Sequence, residues 1–250
     1  MTKRKFLTLL IIVTLFLVLS FLFITKKTTT KPADKATPST NTKTTSPTQQ
    51  SFDKTKYSIT DPASLWILVN KSRPLNSPQY TPNDLIVPAV QLRLNSTAEQ
   101  MQIRQVVHQP LKELFVAGKV AGFDFAFGSG YRSYALQKQF YEEYVRTIGE
   151  AEANRTSARP GTSEHQTGLS FDIEATGQKC HLDKCMADLP DGKWLAEHAH
   201  EYGFIIRYPL GKEAVTGYDF EPWHLRYVGK DLANQLHSTN KTMEEFFGVN

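Results

Sequence analysis

The sequence predicts an α+β domain: a small, mainly antiparallel sheet with helices packed against it. Three observations predict it. Residues 169–173 (Leu-Ser-Phe-Asp-Ile) and 223–227 (Trp-His-Leu-Arg-Tyr) alternate apolar and polar side chains with a period of two, the pattern of half-buried strands. Phe123, Phe125 and Phe127 repeat that alternation. Elsewhere apolar residues recur at helical spacing, as in Leu136, Phe140 and Tyr144.

The strands also carry the chemistry. Leu169, Phe171 and Ile173 share one face, which puts Ser170 and Asp172 on the other. His165 lies on the turn before them, and Gly168 is the turn residue, free to take a backbone conformation that others resist. Zinc accepts His nitrogen and Asp oxygen, and a catalytic site needs three protein ligands plus an open position. His165 and Asp172 supply two. The third is best sought at His224, on the polar face of 223–227. Glu221, three residues earlier, is placed to move protons of a water at the metal without being a ligand.

The pattern Ser-x-His-x-x-Gly-x-small-x-Asp runs from Ser163 to Asp172, and Glu-x-x-His runs from Glu221 to His224 with Trp223 before the His. In this order the motifs resemble the VanY/LdcB-type D-alanyl-D-alanine carboxypeptidases, zinc peptidases of the hedgehog/DD-peptidase fold. Gly128 to Ser133, with Gln137 beyond, and Gly203 to Pro209 are similar to the family as well. The resemblance spans roughly 57–229. Position 170, often Ala in the family, is Ser here.

The resemblance implies a Zn2+ carboxypeptidase that removes the C-terminal D-Ala from peptidoglycan stem peptides, with Glu221 as catalytic carboxylate. Arg132 stands on a glycine-rich strand-to-helix corner that lifts it toward a cleft. A guanidinium binds carboxylates or a developing oxyanion bidentately. The family likeness gives Arg132 and Ser163 to the substrate, with Gln137 orienting Arg132 or the substrate. It leaves Asn70 either lining the site or capping a turn. Cleavage of an L,D bond in tetrapeptide stems, and a wall-binding module without turnover, stay open as alternatives.

The chain of 250 residues has room for one substantial domain plus extras. Phe6 to Ile24 is an apolar run interrupted only by Thr and Ser. At helical rise it spans roughly 28 Å, close to the hydrocarbon thickness of a bilayer. The run exceeds the apolar region of a signal peptide and lacks an Ala-x-Ala site, so an uncleaved transmembrane anchor is expected over a cleaved signal. Residues 1–5 then face the cytoplasm, and 25–56, rich in Thr, Lys, Pro and Ser, form a disordered tether. The zinc domain follows at 57–250. Its substrate class puts it on the extracytoplasmic face of the cell membrane, as a monomer.

The net charge of +4 belongs to the anchor and tether: residues 1–56 hold ten of 29 basic and two of 25 acidic residues. The domain left over carries about four excess negative charges, so a nucleic-acid role loses its support.

Residues 57–93 read as extended chain wrapping the domain. Ser96 and Glu99 form a capping box that opens an amphipathic helix from Thr97 to Ala117, kinked at Pro110. A second helix runs from Ser133 to Thr147, and 150–160 reads as a helix end and loop. Cys180 and Cys185, the only cysteines, favour a disulfide in an oxidising compartment. The alternative, a metal knuckle with His181, lacks a second pair of ligands. Asp191 to Tyr202 is a helix stopped by Gly203, Phe204 to Tyr208 a buried strand, and 211–220 a hairpin or loop. Lys230 to Asn250 is a helical tail that docks through Leu232, Leu236, Phe246 and Phe247.

Overall fold

The computed structural model describes residues 52–177 and 180–249. The expected anchor and most of the tether lie outside the described residues. Among those described, no helix is long and apolar enough to cross a membrane. Ser51–Asn250 forms one compact unit. Its packing begins ahead of position 57: the Phe52 ring stacks on Trp66 at 5.6 Å and meets Phe246 edge-on at 5.3 Å. One aromatic ring at the end of a polar stretch docks in an apolar slot, which average composition does not reveal.

In chain order the elements are β1 (Leu85–Ile86), β2 (Ile103–Arg104), α1 (Gln105–Val120), β3 (Phe125–Ser129), α2 (Tyr134–Ile148) and α3 (Glu150–Thr156). There follow β4 (Ser170–Ala175), α4 (Pro190–His198), β5 (Phe204–Tyr208), α5 (Glu213–Thr216), β6 (Glu221–Tyr227), α6 (Lys230–Thr239) and α7 (Met243–Phe247). The expected α+β class holds. The main sheet has strand order β3-β4-β6-β5 with antiparallel neighbours throughout, and β1 and β2 make a separate pair.

One face of the sheet carries the main core. Phe127, Phe171, Phe204 and Leu225 pack against Leu111 and Leu114 of α1 and Leu195 of α4. Truncating such a fully buried ring, as in Phe171→Ala, costs about 3–5 kcal/mol. The other face carries Ser170, Asp172, His224 and Arg226, placed side by side by register. On that face Ile205, the cross-strand partner of Arg226, packs against the cluster that α6 and α7 build with Leu232, Leu236, Met243 and Phe246. The Arg226 guanidinium donates to the carbonyls of Leu65 and Ile67, at 3.1 and 2.8 Å, so the extended segment 65–70 straps that face. The strap alternates between two cores. Ile67 and Val69 enter the main one, while Trp66 and Leu68 join Leu232, Leu236, Met243 and Phe246 in a second.

Several expectations change. The helix expected from Thr97 starts at Gln105, because Ile103–Arg104 is committed to β2. The capping box at Ser96 does not form; Glu99 Oε1 accepts instead from the Ser133 amide at 2.6 Å, joining a distant corner. Pro110 sits inside α1 without ending it. The carbonyl it leaves unpaired belongs to Val106, which is exposed to water. The stretch expected as a helix end and loop contains α3, separated from α2 by Gly149 at φ 82°. Residues 211–220 carry the short helix α5 rather than a hairpin.

Candidate metal centre

Two glycines let the centre close. Gly168 has φ 65° and ends the 3-10 turn Glu164–Thr167 that carries His165. A Cβ there would stand 2.8 Å from Arg104 Cγ. At Gly130 a Cβ would stand 2.2 Å from the Gln102 carbonyl oxygen. That close approach sets the corner whose carbonyl meets His165.

His165 Nδ1–H donates to the Gly130 carbonyl at 2.7 Å, since a carbonyl can only accept. The lone pair of the neutral ring is therefore on Nε2, which is buried and has no hydrogen-bond partner among the described residues. Nε2 lies 3.5 Å from Asp172 Oδ1. On the neighbouring strand, His224 Nδ1 lies 3.6 Å from the same oxygen. One ligand atom from each of His165, Asp172 and His224 falls within 4.8 Å of the others, and all three residues are buried. A buried imidazole nitrogen left without a partner, facing a carboxylate and a second imidazole, fits an N2O set for zinc.

Electrostatics favour the same use. Burial, with the Arg132 guanidinium nearby, lowers the His165 pKa to about 4, which keeps the ring neutral for ligation. Burial works against the Asp172 charge, but the two imidazoles and Arg132 outweigh it and hold the carboxyl down at about 2. Glu221 is the first residue of β6, not a residue ahead of it, and its Oε2 lies 3.4 Å from His224 Nδ1. Burial raises its carboxyl pKa, the direction that suits a group exchanging protons near neutral pH.

These residues line a cleft of about 570 Å3, together with Arg132, Ser163, Gln137, Trp223 and the tyrosines 208 and 218. Arg132 leaves the Gly130 corner with its backbone amide on the His165 carbonyl at 3.3 Å. Its Nε is buried without a hydrogen-bond partner among the described residues. Ser163 is buried and its hydroxyl caps no turn. Gln137 donates its amide to the Ala158 carbonyl at 2.7 Å and to Ser157 at 3.3 Å, which anchors the loop after α3; its Oε1 has no partner. Cys180 and Cys185 are joined by a disulfide. His181 takes no part in a knuckle and pairs with Glu174 at 3.1 Å. The closed loop supplies Leu182, Asp183 and Lys184 to the cleft wall. Asn70 is a turn cap: its Oδ1 accepts from the Ser72 amide at 3.0 Å.

Sequence reasoning misses the network behind the centre. Glu164 Oε1 accepts from Arg207 Nε at 2.8 Å and Arg226 Nη1 at 2.7 Å, and Oε2 accepts from the Ser170 hydroxyl at 3.1 Å. Arg207 continues to Glu244 of α7 at 2.6 and 3.0 Å, and Glu244 accepts from Asn70 Nδ2 at 3.0 Å. All four ionic side chains are fully buried. Burial opposes the charge on Glu164, yet the two arginines bring its pKa down to about 2. The available signal was the placement of Arg207 and Arg226 inside strand patterns. Tyr208 is also missed; its ring centroid is 4.8 Å from that of His224.

Residues 100–230 match the family described as VanY: D-alanyl-D-alanine carboxypeptidase. A putative carboxypeptidase, YodJ of Bacillus subtilis (strain 168), is 40% identical over 228 residues, covering 89% of this chain and 83% of that protein. The solved LdcB LD-carboxypeptidase is 42% identical with a TM-score of 0.71, covering 76% of this chain and 88% of the other. A mutant of the D,D-pentapeptidase VanY from a VanB-type resistance cassette, solved in complex with Zn(II), is 32% identical with a TM-score of 0.60. That match covers 75% of this chain and 99% of the other. Fold, donor set and sequence agree, and the chain belongs to the VanY family of D-alanyl-D-alanine carboxypeptidases.

Proposed function

We propose that the chain is a zinc-dependent D,D-carboxypeptidase that releases the C-terminal D-Ala of peptidoglycan stem peptides. The observation that carries this reading is the convergence of His165 Nε2, Asp172 Oδ1 and His224 Nδ1 in a cleft, with Glu221 at 3.4 Å from the last. Zinc held there supplies a Lewis acid that polarises the scissile carbonyl and acidifies the attacking water. Glu221 takes the proton from that water as its oxygen bonds to the carbonyl carbon. It then gives the proton to the D-Ala nitrogen as the C–N bond breaks. Arg132, with a charged fork and an unpaired buried Nε, binds the terminal carboxylate or the developing oxyanion. Ser163 and the free Oε1 of Gln137 contact the peptide.

Mass spectrometry of products from defined stems tests the reading. Loss of one D-Ala from a pentapeptide ending in D-Ala-D-Ala is expected. The likeness to an LD-carboxypeptidase supports a second reading, in which the tetrapeptide loses its D-Ala instead. A chain that holds zinc and stem peptide but releases nothing is a wall-binding module, and both readings fail. The apolar run 6–24 supports a single-pass anchor, and the cell-wall peptide substrate of the proposed activity supports placing the domain on the extracytoplasmic face. Protease added to intact cells should then degrade the domain; protection of the domain would overturn this placement.

A further inference from the structure

The His224 ring has two ends in different surroundings. Nδ1 faces the cleft, 3.6 Å from Asp172 Oδ1 and 3.4 Å from Glu221 Oε2. Nε2 points away, is buried and has no hydrogen-bond partner among the described residues; Glu164 Oε2 lies 3.9 Å from it. On the metal-centre reading above, we propose that Glu164 is the positioning carboxylate of His224, accepting its Nε2–H and so presenting Nδ1 to the metal.

A neutral imidazole carries one N–H. If Nδ1 gives its lone pair to a metal, the proton is on Nε2, and a buried N–H without an acceptor is costly. Glu164 offers the acceptor. Its Oε1 is occupied by Arg207 and Arg226, whereas its Oε2 receives, among the described residues, only the Ser170 hydroxyl. A carboxylate oxygen has two acceptor sites, so one stays free toward the ring. Closing 3.9 Å to hydrogen-bond length takes about 1 Å. Metal-ligating His residues commonly pair their second nitrogen with a carbonyl or a carboxylate. Here His165 has the carbonyl, from Gly130, and His224 has the carboxylate.

The surroundings keep that carboxylate in place. Two buried arginines grip Oε1, and they are held in turn by Glu244 and by the Leu65 and Ile67 carbonyls. Buried ion pairs are weak sources of stability. The Ser170 hydroxyl fills one acceptor site of the second oxygen, and the other faces the ligand ring.

Two variants of the full chain and one spectrum test this. Glu164→Gln should weaken zinc binding about 10–100-fold in competition with a chromophoric chelator. Glu244→Gln disturbs the same network from the far side of Arg207, without facing His224; it should lower stability and weaken zinc binding by clearly less than Glu164→Gln does. Equal zinc affinity of Glu164→Gln and wild type overturns the proposal, as does equal weakening by both variants. Long-range proton–nitrogen correlation on the zinc-loaded wild type needs no variant. Nδ1 ligated with a slowly exchanging proton on Nε2 is expected, and Nε2 ligation overturns the proposal even if Glu164→Gln does not fold. A wild type that holds no zinc overturns the metal-centre reading itself, whereas zinc bound without an effect of Glu164 overturns only this proposal.

Discussion

Asp172 and His224 are direct cross-strand partners on β4 and β6, with Oδ1 3.6 Å from Nδ1. Strand pairing thus sets the distance between two of the three metal donors. A slip of one residue would turn one donor to the core face, so the packing of Phe171 against the core guards the register.

The first prediction follows from that pair. The purified chain should hold about one zinc. Chelation should abolish peptide release while the far-ultraviolet circular dichroism persists, because the main core packs on the opposite face of the sheet. Asp172→Ala should lose both zinc and activity. Stoichiometric zinc in that variant, by elemental analysis, would remove Asp172 from the ligand set.

Glu221→Gln separates proton transfer from binding. The amide keeps the shape but cannot take a proton, so kcat should fall ~10²–10⁴-fold, or about 3–5 kcal/mol of barrier. Zinc content and stem-peptide affinity should stay near wild type. Steady-state kinetics with metal analysis decide; an unchanged kcat places the base elsewhere.

Arg132→Ala should behave differently. It removes a cation from the cleft but no metal donor, so KM should rise, kcat should fall, or both, with zinc retained. Amidating the peptide's C-terminus distinguishes the two roles. If Arg132 binds that carboxylate, the amidated substrate should gain little from the arginine. An equal effect of the variant on free and amidated substrates assigns Arg132 to the oxyanion.

Acid should unfold the chain through its buried network. Burial opposes the charges on Glu164 and Glu244, but Arg207 together with Arg226 or Asn70 outweighs it, so both folded pKa values lie below the unfolded 4.5, Glu164 near 2. A depressed folded pKa contributes stability that is complete above the unfolded value and lost as pH falls through the folded one. Denaturant melts should therefore weaken from about pH 4.5 downward. Glu244→Gln should be less stable at pH 7 and show a shallower acid dependence. An acid slope identical to wild type would exclude Glu244 from that loss.

Thiol labelling under denaturing, non-reducing conditions should find neither Cys180 nor Cys185. Reduction should leave the core intact and loosen the wall formed by Leu182, Asp183 and Lys184, raising KM more than it lowers kcat. Unchanged kinetics after full reduction would show that the loop is held by Lys184 on Asp219, at 3.0 Å, rather than by the bridge.

Local pattern was enough for part of this protein. Period-two alternation around Phe171 and Leu225 gave the strands, and it put Asp172 and His224 on polar faces of their own strands. With ligand chemistry, that placement is enough to single out His165, Asp172, His224 and Glu221. Tertiary structure alone decided which strands pair, and therefore that Asp172 faces His224. It set the His165 tautomer through a carbonyl 35 residues away, at Gly130. It also joined Glu164, Arg207, Arg226, Glu244 and Asn70 into one buried network. It moved the start of α1 to Gln105, where β2 pairing and the Glu99–Ser133 contact prevailed over a local cap. The division has a physical reason: periodicity is set by neighbours in sequence, whereas a buried charge finds its partner only when separate segments are brought together.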